Sequence, residues 1–243
     1  MCPVRESGPP DPRAGPADPP PGAPAWPADP VERAAAAAGA GLRRPVPEGT
    51  AAALALLAGG DPEARVRAAA LGALARLPDP DPHAWLRAAI DPDASVRRRA
   101  ADLAPAFSAE GRTGAAGMVA DALVILARDG EAAVAEAAAW ALGELGDLAV
   151  AVGAVGCLAE MARGHGDPLV REAAVAALGS LGDTGGLEVV LAACQDKPAI
   201  RRRAVLALAA FEGPAVDAAL RAALEDKDWQ TRQAAEDLLG EVS

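Results

Sequence analysis

The sequence has few aromatic residues, and it lacks tyrosine altogether. Phenylalanine and tryptophan together make up 2% of its 243 residues. Because β-sandwiches and β-barrels are rich in aromatic and β-branched residues, this composition argues against both classes. The hydrophobic fraction is nevertheless 51%, and much of it is alanine. Such a composition favours thin helices that pack closely together.

Positive charge and cysteine are also scarce. The chain has 23 basic against 34 acidic residues, a net charge of −11, and its only lysines are Lys197 and Lys227. A field of this sign repels nucleic acid and anionic lipid, so neither is expected as a partner. No apolar run is long enough to suggest a membrane span. Three widely spaced cysteines predict no disulfide framework and favour a reducing cytoplasm.

Proline is concentrated at the start of the chain. Residues 1–30 hold 11 of the 22 prolines, and such a segment cannot bury enough apolar surface to offset its ordering entropy. We therefore expect a disordered Pro-rich tail over residues 1–30. It is either a simple extension or a docking segment. Trp26, isolated in this tail, either packs back on the folded domain or contacts a partner.

From Asp61 onward the chain repeats a pattern of apolar positions at intervals of 30 to 38 residues. The copies align on one valine-like position, which holds Val66, Val96, Val134, Val170, Ile200 and Thr231. The residue four places later is alanine in every copy, and those eight and eleven places later are mostly leucine or phenylalanine. Because these offsets share one helical face, each copy predicts an amphipathic helix of about three turns.

Each of these helices has a start signal before it and a second apolar segment between it and the next copy. Aspartate precedes proline at 61–62, 91–92 and 167–168, which is typical of a capped helix start. One helix pair cannot cover its own apolar stripe, but a neighbouring pair can. The sequence therefore predicts an all-α solenoid of about six helix-turn-helix repeats over residues 31–243.

The segments Asp-Pro-x-x-x-Val-Arg and Ala-Leu-Gly-x-Leu-Gly-Asp resemble HEAT repeats, specifically the HEAT-like type of the phycobilin lyases. In HEAT proteins the aspartate before the helix and the arginine after the valine link neighbouring repeats. The resemblance therefore implies a ladder made of Asp61, Arg67, Asp91, Arg97, Asp129, Asp167, Arg171, Asp196, Arg201, Asp226 and Arg232. Ala135 replaces the arginine in the third copy, and we expect the superhelix to kink or loosen there.

In this repeat type the valine-containing helices line the concave side of the solenoid. The residues two, three and six places after the valine should then point outward. Trp140 stands at a position that the repeat usually fills with a charged residue, near Glu136 and Glu172. A large aromatic side chain exposed in a groove is a candidate binding anchor. Alternatively, Trp140 packs against the helix at 148–163 and belongs to the core.

Arginine triplets at 97–99 and 201–203 recur at the same phase of the repeat. One arginine of each belongs to the ladder. The others either hold an acidic peptide or a phosphate through forked hydrogen bonds, or pair with Asp93, Asp102 and neighbouring acids. The candidate binding residues on the concave face are Arg98, Arg99, Asp102, Glu136, Trp140, Glu172, Arg202 and Arg203.

Catalytic patterns are missing from the sequence. His83 and His165 have no acid or cysteine at ligand spacing, and they are not followed by the glutamate of the His-Glu iron-ligand pairs in the related deoxyhypusine hydroxylases. No phosphate-binding loop or dinucleotide-binding glycine pattern occurs. We therefore expect no catalytic site, no metal and no cofactor.

The sequence thus predicts a non-catalytic cytoplasmic scaffold that presents a concave helical surface to another protein. The acidic chain favours a partner segment that is locally basic, or one that is apolar. The alternative is a tetrapyrrole-binding enzyme like the phycobilin lyases, which would need a groove for its ligand.

Overall fold

The computed structural model describes residues 25–108 and 116–240, and every regular element in these ranges is helical. In chain order the α-helices are α1 Pro30–Ala40, α2 Thr50–Gly60, α3 Ala64–Leu74, α4 Pro82–Ala89, α5 Ala94–Ser108, α6 Ala116–Leu126, α7 Ala132–Glu144, α8 Asp147–Ala151, α9 Ala154–Gly164, α10 Pro168–Leu181, α11 Leu187–Ala193, α12 Pro198–Ala207, α13 Pro214–Ala223 and α14 Trp229–Gly240. Single 3₁₀ turns lie at Thr184–Gly186 and Leu208–Ala210. The predicted all-α class is confirmed.

These helices form two layers. The first layer is a row of side-by-side helices, namely α1, α3, α5, α7, α10, α12 and α14. The remaining helices form the second layer. In each repeat, the second-layer helix packs against the first-layer helix that comes next in the chain. Six such pairings build the predicted α-solenoid of about six repeats, and α1 adds one further helix at the start of the first layer.

The repeated apolar positions form one continuous core between the layers. The six residues at the valine-like position are at most 1% exposed, and the alanines four places later are fully buried. Thr231 is polar at this position, and its hydroxyl donates a hydrogen bond to Asp228 at 2.9 Å. The amphipathic pattern read from the sequence therefore places the same side chains inside in every repeat.

Small residues let the first-layer helices approach closely. A Cβ atom on Gly143 would lie 2.9 Å from the Cα of Ala177, and one on Gly179 would lie 2.8 Å from the Cα of Ala207. Neighbouring helices of the second layer make much less contact with one another. The first layer is thus the more tightly spaced of the two, and we call its outward-facing side the inner surface.

The chain enters the solenoid through α1. Residues 1–24, on which most of the predicted disordered tail falls, lie outside the described residues. Trp26 is half-buried and packs against the core. Of the two arrangements expected for it, the structure shows packing on the folded domain. Asp29 caps α1, because its carboxylate accepts hydrogen bonds from the backbone N–H groups of Val31 and Glu32 at 2.9 Å.

Candidate functional site

Ion pairs between successive repeats fix how the first-layer helices sit beside one another. Arg67 on α3 donates from Nε and Nη2 to the two carboxylate oxygens of Asp91, each at 2.7 Å. Its Nη1 donates at 2.9 Å to the backbone carbonyl of Asp61, in the turn before its own helix. Forked geometry of this kind orients both groups as well as attracting them. Each pair therefore ties one repeat to the start of the next.

The same forked arrangement recurs along the stack. Its closest nitrogen–oxygen distances are 2.6 to 2.9 Å in the pairs Arg33–Asp61, Arg67–Asp91, Arg97–Asp129, Arg171–Asp196 and Arg201–Asp226. We call this series the ladder. The repeat pattern in the sequence starts at Asp61 and therefore does not include Arg33. The dipeptide Asp29-Pro30 before it nevertheless carries the start signal of the other helices.

Hydrogen bonds from the arginines shift the acidity of the ladder carboxylates. They hold the pKa of Asp129, Asp196 and Asp226 below its ordinary value, and burial offsets part of this effect. The same bonds raise the pKa of Arg97, Arg171 and Arg201. The pairs Arg97–Asp129, Arg171–Asp196 and Arg201–Asp226 are thus charged throughout the physiological pH range.

Two of the residues expected in the ladder have other partners. Asp167 lies three residues before its valine instead of five, so it caps α10 and accepts from the backbone N–H of Leu169 at 2.9 Å. The ladder position belongs to His165, whose Nδ1 accepts from the backbone N–H of Asp167 at 3.1 Å. Arg232 donates only to the backbone carbonyls of Asp226 and Lys227 within the described residues.

The expected loosening at the third repeat is not found. Helices α7 and α10 are in close contact there, as the approach of Gly143 to Ala177 shows. The hydroxyl of Ser180 on α10 donates a hydrogen bond at 3.0 Å to the carbonyl of Gly143 on α7. Glycine at the point of contact therefore holds these repeats together without the Arg–Asp pair.

Trp140 lies on the inner surface and is 41% exposed. The Cζ atom of Arg203, two helices away on α12, lies 5.4 Å from the centre of its ring, within the range of a cation–π interaction. Arg203 Nη2 also lies 3.5 Å from a carboxylate oxygen of Glu172 on the intervening helix α10. Residues of three successive repeats thus form one group, which we call the Trp140 cluster.

The other candidate residues are distributed around this cluster. Glu136 precedes Trp140 by one helical turn on α7 and is half-buried. Arg202 donates from Nη1 to the side-chain carbonyl of Gln230 on α14. No hydrogen bond or ion pair within the described ranges joins Arg98, Arg99 or Asp102 to the Trp140 cluster.

The arginines of α5 do not form the expected ion pairs with Asp93 and Asp102 in the described part of the chain. Asp93 instead accepts hydrogen bonds from the hydroxyl and the backbone N–H of Ser95. These bonds lower the pKa of Asp93. Arg99 packs over Gly72 of α3, with Nη2 2.8 Å from the place that a Cβ on this glycine would occupy. The sequence could not show that a missing side chain makes room for it.

Two clefts adjoin these residues. A cleft of about 240 Å³ beside Trp140 is lined by Arg203, Leu206 and small residues of α10 and α12. A larger one of about 500 Å³ lies near the last repeats, with Cys194 and the Arg201–Asp226 pair in its walls. Burial raises the pKa of the Cys194 thiol to about 11, so at neutral pH it is not the thiolate that a nucleophile requires.

Metal clusters and membrane-spanning helices are both missing from residues 25–108 and 116–240. This part of the chain contains no group of three or more histidine, cysteine, aspartate or glutamate side chains that could hold a metal ion. None of its helices is both long and apolar enough to cross a membrane.

Comparison with known families agrees with this geometry. A family model of HEAT repeats matches residues 157–240, and a model of the PBS lyase HEAT-like repeat matches residues 134–161. Residues 134–240 therefore consist of HEAT repeats. The resemblance seen in the sequence is therefore confirmed, and these HEAT repeats include the phycobilin-lyase type. A search among curated proteins finds no match.

Solved structures show the same fold as these HEAT repeats. An engineered protein has a TM-score of 0.54 and 20% identity, over 86% of this chain and 96% of its own. A designed armadillo repeat protein in complex with the peptide (KR)4 has a TM-score of 0.52 and 17% identity, over 86% of this chain and 98% of its own. At these identities the likeness concerns the fold alone.

Proposed function

We propose that this HEAT-repeat protein is a non-catalytic scaffold that binds a protein partner on its inner surface, with the Trp140 cluster at the centre of the site. The observation that carries the proposal is the exposure of Trp140 in a row of alanine-rich helices. Exposed tryptophan and arginine side chains near the centre of a surface are the residues that most often dominate binding energy.

Features of the solenoid support this role. Its repeats form a preformed surface. Binding a partner there therefore costs less conformational entropy than binding at a flexible site would. A designed armadillo repeat protein of the same fold is in complex with a peptide. The free thiols Cys157 and Cys194 agree with an action in the reducing cytoplasm.

The partner segment that fits this site is locally basic or apolar. Glu136 is an acidic side chain close to Trp140, whereas Leu206 offers an apolar one and is 43% exposed. Arg98 and Arg99 lie on α5, the helix next to α7 in the first layer, and limit how far a basic segment extends in that direction. We exclude nucleic acid from the proposed partners because the chain has a net charge of −11.

The proposal is tested by comparing proteins retained from a lysate of the source cells. Tagged full-length protein is compared with Trp140→Ala and with Glu136→Lys/Glu172→Lys, and each variant is expected to lose a defined subset of retained proteins. The matched controls are Trp229→Ala, because Trp229 is 64% exposed on another part of the stack, and the exposed Glu188→Lys. Retention of the same proteins by all four variants would contradict the proposal.

One observation favours the tetrapyrrole-binding alternative. The cleft of about 500 Å³ near Cys194 lies in the size range of small-molecule sites. A linear tetrapyrrole and haem are therefore mixed separately with the full-length protein while the absorbance spectrum is recorded. A stoichiometric spectral shift that is lost in Ala219→Trp, which fills this cleft, would support the alternative over the scaffold.

A further inference from the structure

The Trp140 cluster already contains a cation of its own. The guanidinium of Arg203 lies against the Trp140 ring, and its Nη2 faces the Glu172 carboxylate. These are the two groups that would otherwise attract a basic side chain from a partner. An incoming lysine or arginine would have to displace Arg203.

The surface that remains beside this group is made mostly by apolar and small side chains, with Ser180 and Arg203 as its polar ones. The cleft next to Trp140 is walled by Leu206, Ala176 and Ala210, with Gly179 leaving further room. Both Trp140 and Leu206 are more than 40% exposed, whereas most apolar side chains of the first layer are buried. A cleft of about 240 Å³ can hold one large apolar side chain of a partner.

Arg203 also has a donor that lacks a partner. Its Nε is buried, and no acceptor lies within hydrogen-bond distance among the described residues. A buried donor without an acceptor is unfavourable, and an acceptor supplied by a ligand satisfies it once the partly exposed Arg203 side chain turns toward the ligand. A backbone carbonyl or a carboxylate next to the apolar side chain of a partner has the required chemistry.

We infer that the partner segment binds the Trp140 cluster through an aliphatic or aromatic side chain with an adjacent hydrogen-bond acceptor, and not through a basic side chain. This inference rests on the proposed scaffold function and narrows it. Arg203 acts as an internal cation that covers Trp140 and Glu172 and thereby selects against a basic side chain at this point. A basic residue elsewhere in the same partner remains compatible with Glu136.

The experiment selects peptides from a phage-displayed library of random sequences on the immobilised full-length protein. Clones are then scored on Trp140→Ala and on the control Trp229→Ala. We expect the Trp140-dependent clones to be enriched in leucine, isoleucine, phenylalanine or tryptophan beside an acidic residue. Enrichment in lysine or arginine would overturn the inference and leave the scaffold proposal intact. The absence of any Trp140-dependent clone would overturn both.

Variants at Arg203 and Leu206 provide a second readout that does not depend on Trp140. Removal of the internal cation in Arg203→Met should let a synthetic Lys-Arg repeat peptide bind about tenfold more tightly than it binds the native protein. Leu206→Lys should weaken the selected apolar peptides about tenfold, since it places a charge in the wall of the cleft. An unchanged affinity of the Lys-Arg peptide for Arg203→Met would contradict the inference. Circular dichroism establishes that each variant is folded.

Discussion

Ala135 and His165 occupy the two positions at which the other first-layer contacts pair an arginine with an aspartate. His165 still accepts the backbone N–H of the turn, as Asp61 and Asp91 do in theirs, and its carbonyl accepts from Arg171 at 2.8 Å. The turn therefore has the same shape as in the other repeats, although both charges of the ion pair are replaced. Replacement of a single charge would have left the other one partly buried without a partner, which is costly.

This relationship predicts that the two residues are coupled. Ala135→Arg alone should lower the free energy of unfolding by about 1–3 kcal/mol, because Ala135 is fully buried and the new charge has no acceptor. Adding His165→Asp should recover about 1–2 kcal/mol of this loss by completing the ion pair. Urea unfolding of the two single variants and the double variant measures the coupling energy, and strict additivity would contradict the prediction.

The Arg97–Asp129 pair should make stability depend on pH in the acid range. The pKa of Asp129 is lower in the folded chain than in the unfolded chain. Its stabilising contribution is therefore complete above the unfolded pKa of about 4 and is lost as the pH falls through the lower, folded value. Asp129→Asn should cost about 1–3 kcal/mol at neutral pH, since both side chains are less than one-fifth exposed.

The same variant supplies the check on the acid dependence. The free energy of unfolding of Asp129→Asn should decrease less between about pH 5 and about pH 2 than that of the native chain. The two curves should converge at the acid end. Parallel curves over this range would show that the ion pair does not cause the dependence.

The contact between α7 and α10 should tolerate no side chain at Gly143. Alanine normally stabilises a helix interior by about 1 kcal/mol relative to glycine. At Gly143, however, the new Cβ would lie 2.9 Å from the Cα of Ala177, and backbone cannot move aside cheaply. Gly143→Ala should therefore lower the free energy of unfolding by about 1–3 kcal/mol.

Gly156 in α9 is the matched control for this substitution. Nothing lies within 4 Å of the Cβ that alanine would add there. Gly156→Ala should thus raise the midpoint of thermal unfolding, whereas Gly143→Ala lowers it. The same sign for both variants would show that helix propensity, and not the close approach, decides the outcome.

The Cys194 thiol should react slowly in the folded protein. A pKa of about 11 leaves far less thiolate near pH 8 than an ordinary cysteine has, on the order of a hundredfold less. The experiment uses Cys2→Ser/Cys157→Ser, so that Cys194 is the only thiol, and follows its reaction with an aromatic disulfide reagent. The rate should increase by about two orders of magnitude in concentrated urea. Equal rates in the two conditions would contradict a buried, protonated thiol.

Much of the fold was accessible from the sequence because the repeat places chemically similar residues at the same helical phase. In every copy an alanine stands four places after the valine-like position, as Ala70 does after Val66. This periodicity alone identifies the face as buried. The first helix was harder to assign. Glu32 stands at its valine-like position, so α1 has the start signal and Arg33 but lacks the apolar residue on which the copies align.

The ladder was predictable by type and less so by position. The alignment on valine places His165, and not Asp167, in register with Asp129, but the neighbouring Asp-Pro dipeptide has the composition of a ladder site. Both aspartates accept a backbone N–H near a helix start, and only their distance from the helix decides whether the carboxylate also faces the preceding repeat.

The amino-acid sequence by itself determined the helical class, the repeat and the identity of the buried face, because these follow from the spacing of side chains along one helix. Tertiary structure alone decided that Arg203 covers Trp140 and that Gly143 receives Ala177. These contacts join residues of different repeats, and their geometry depends on how far neighbouring helices are displaced and rotated. Spacing along the chain does not specify that displacement; the packing of the small residues between the helices does.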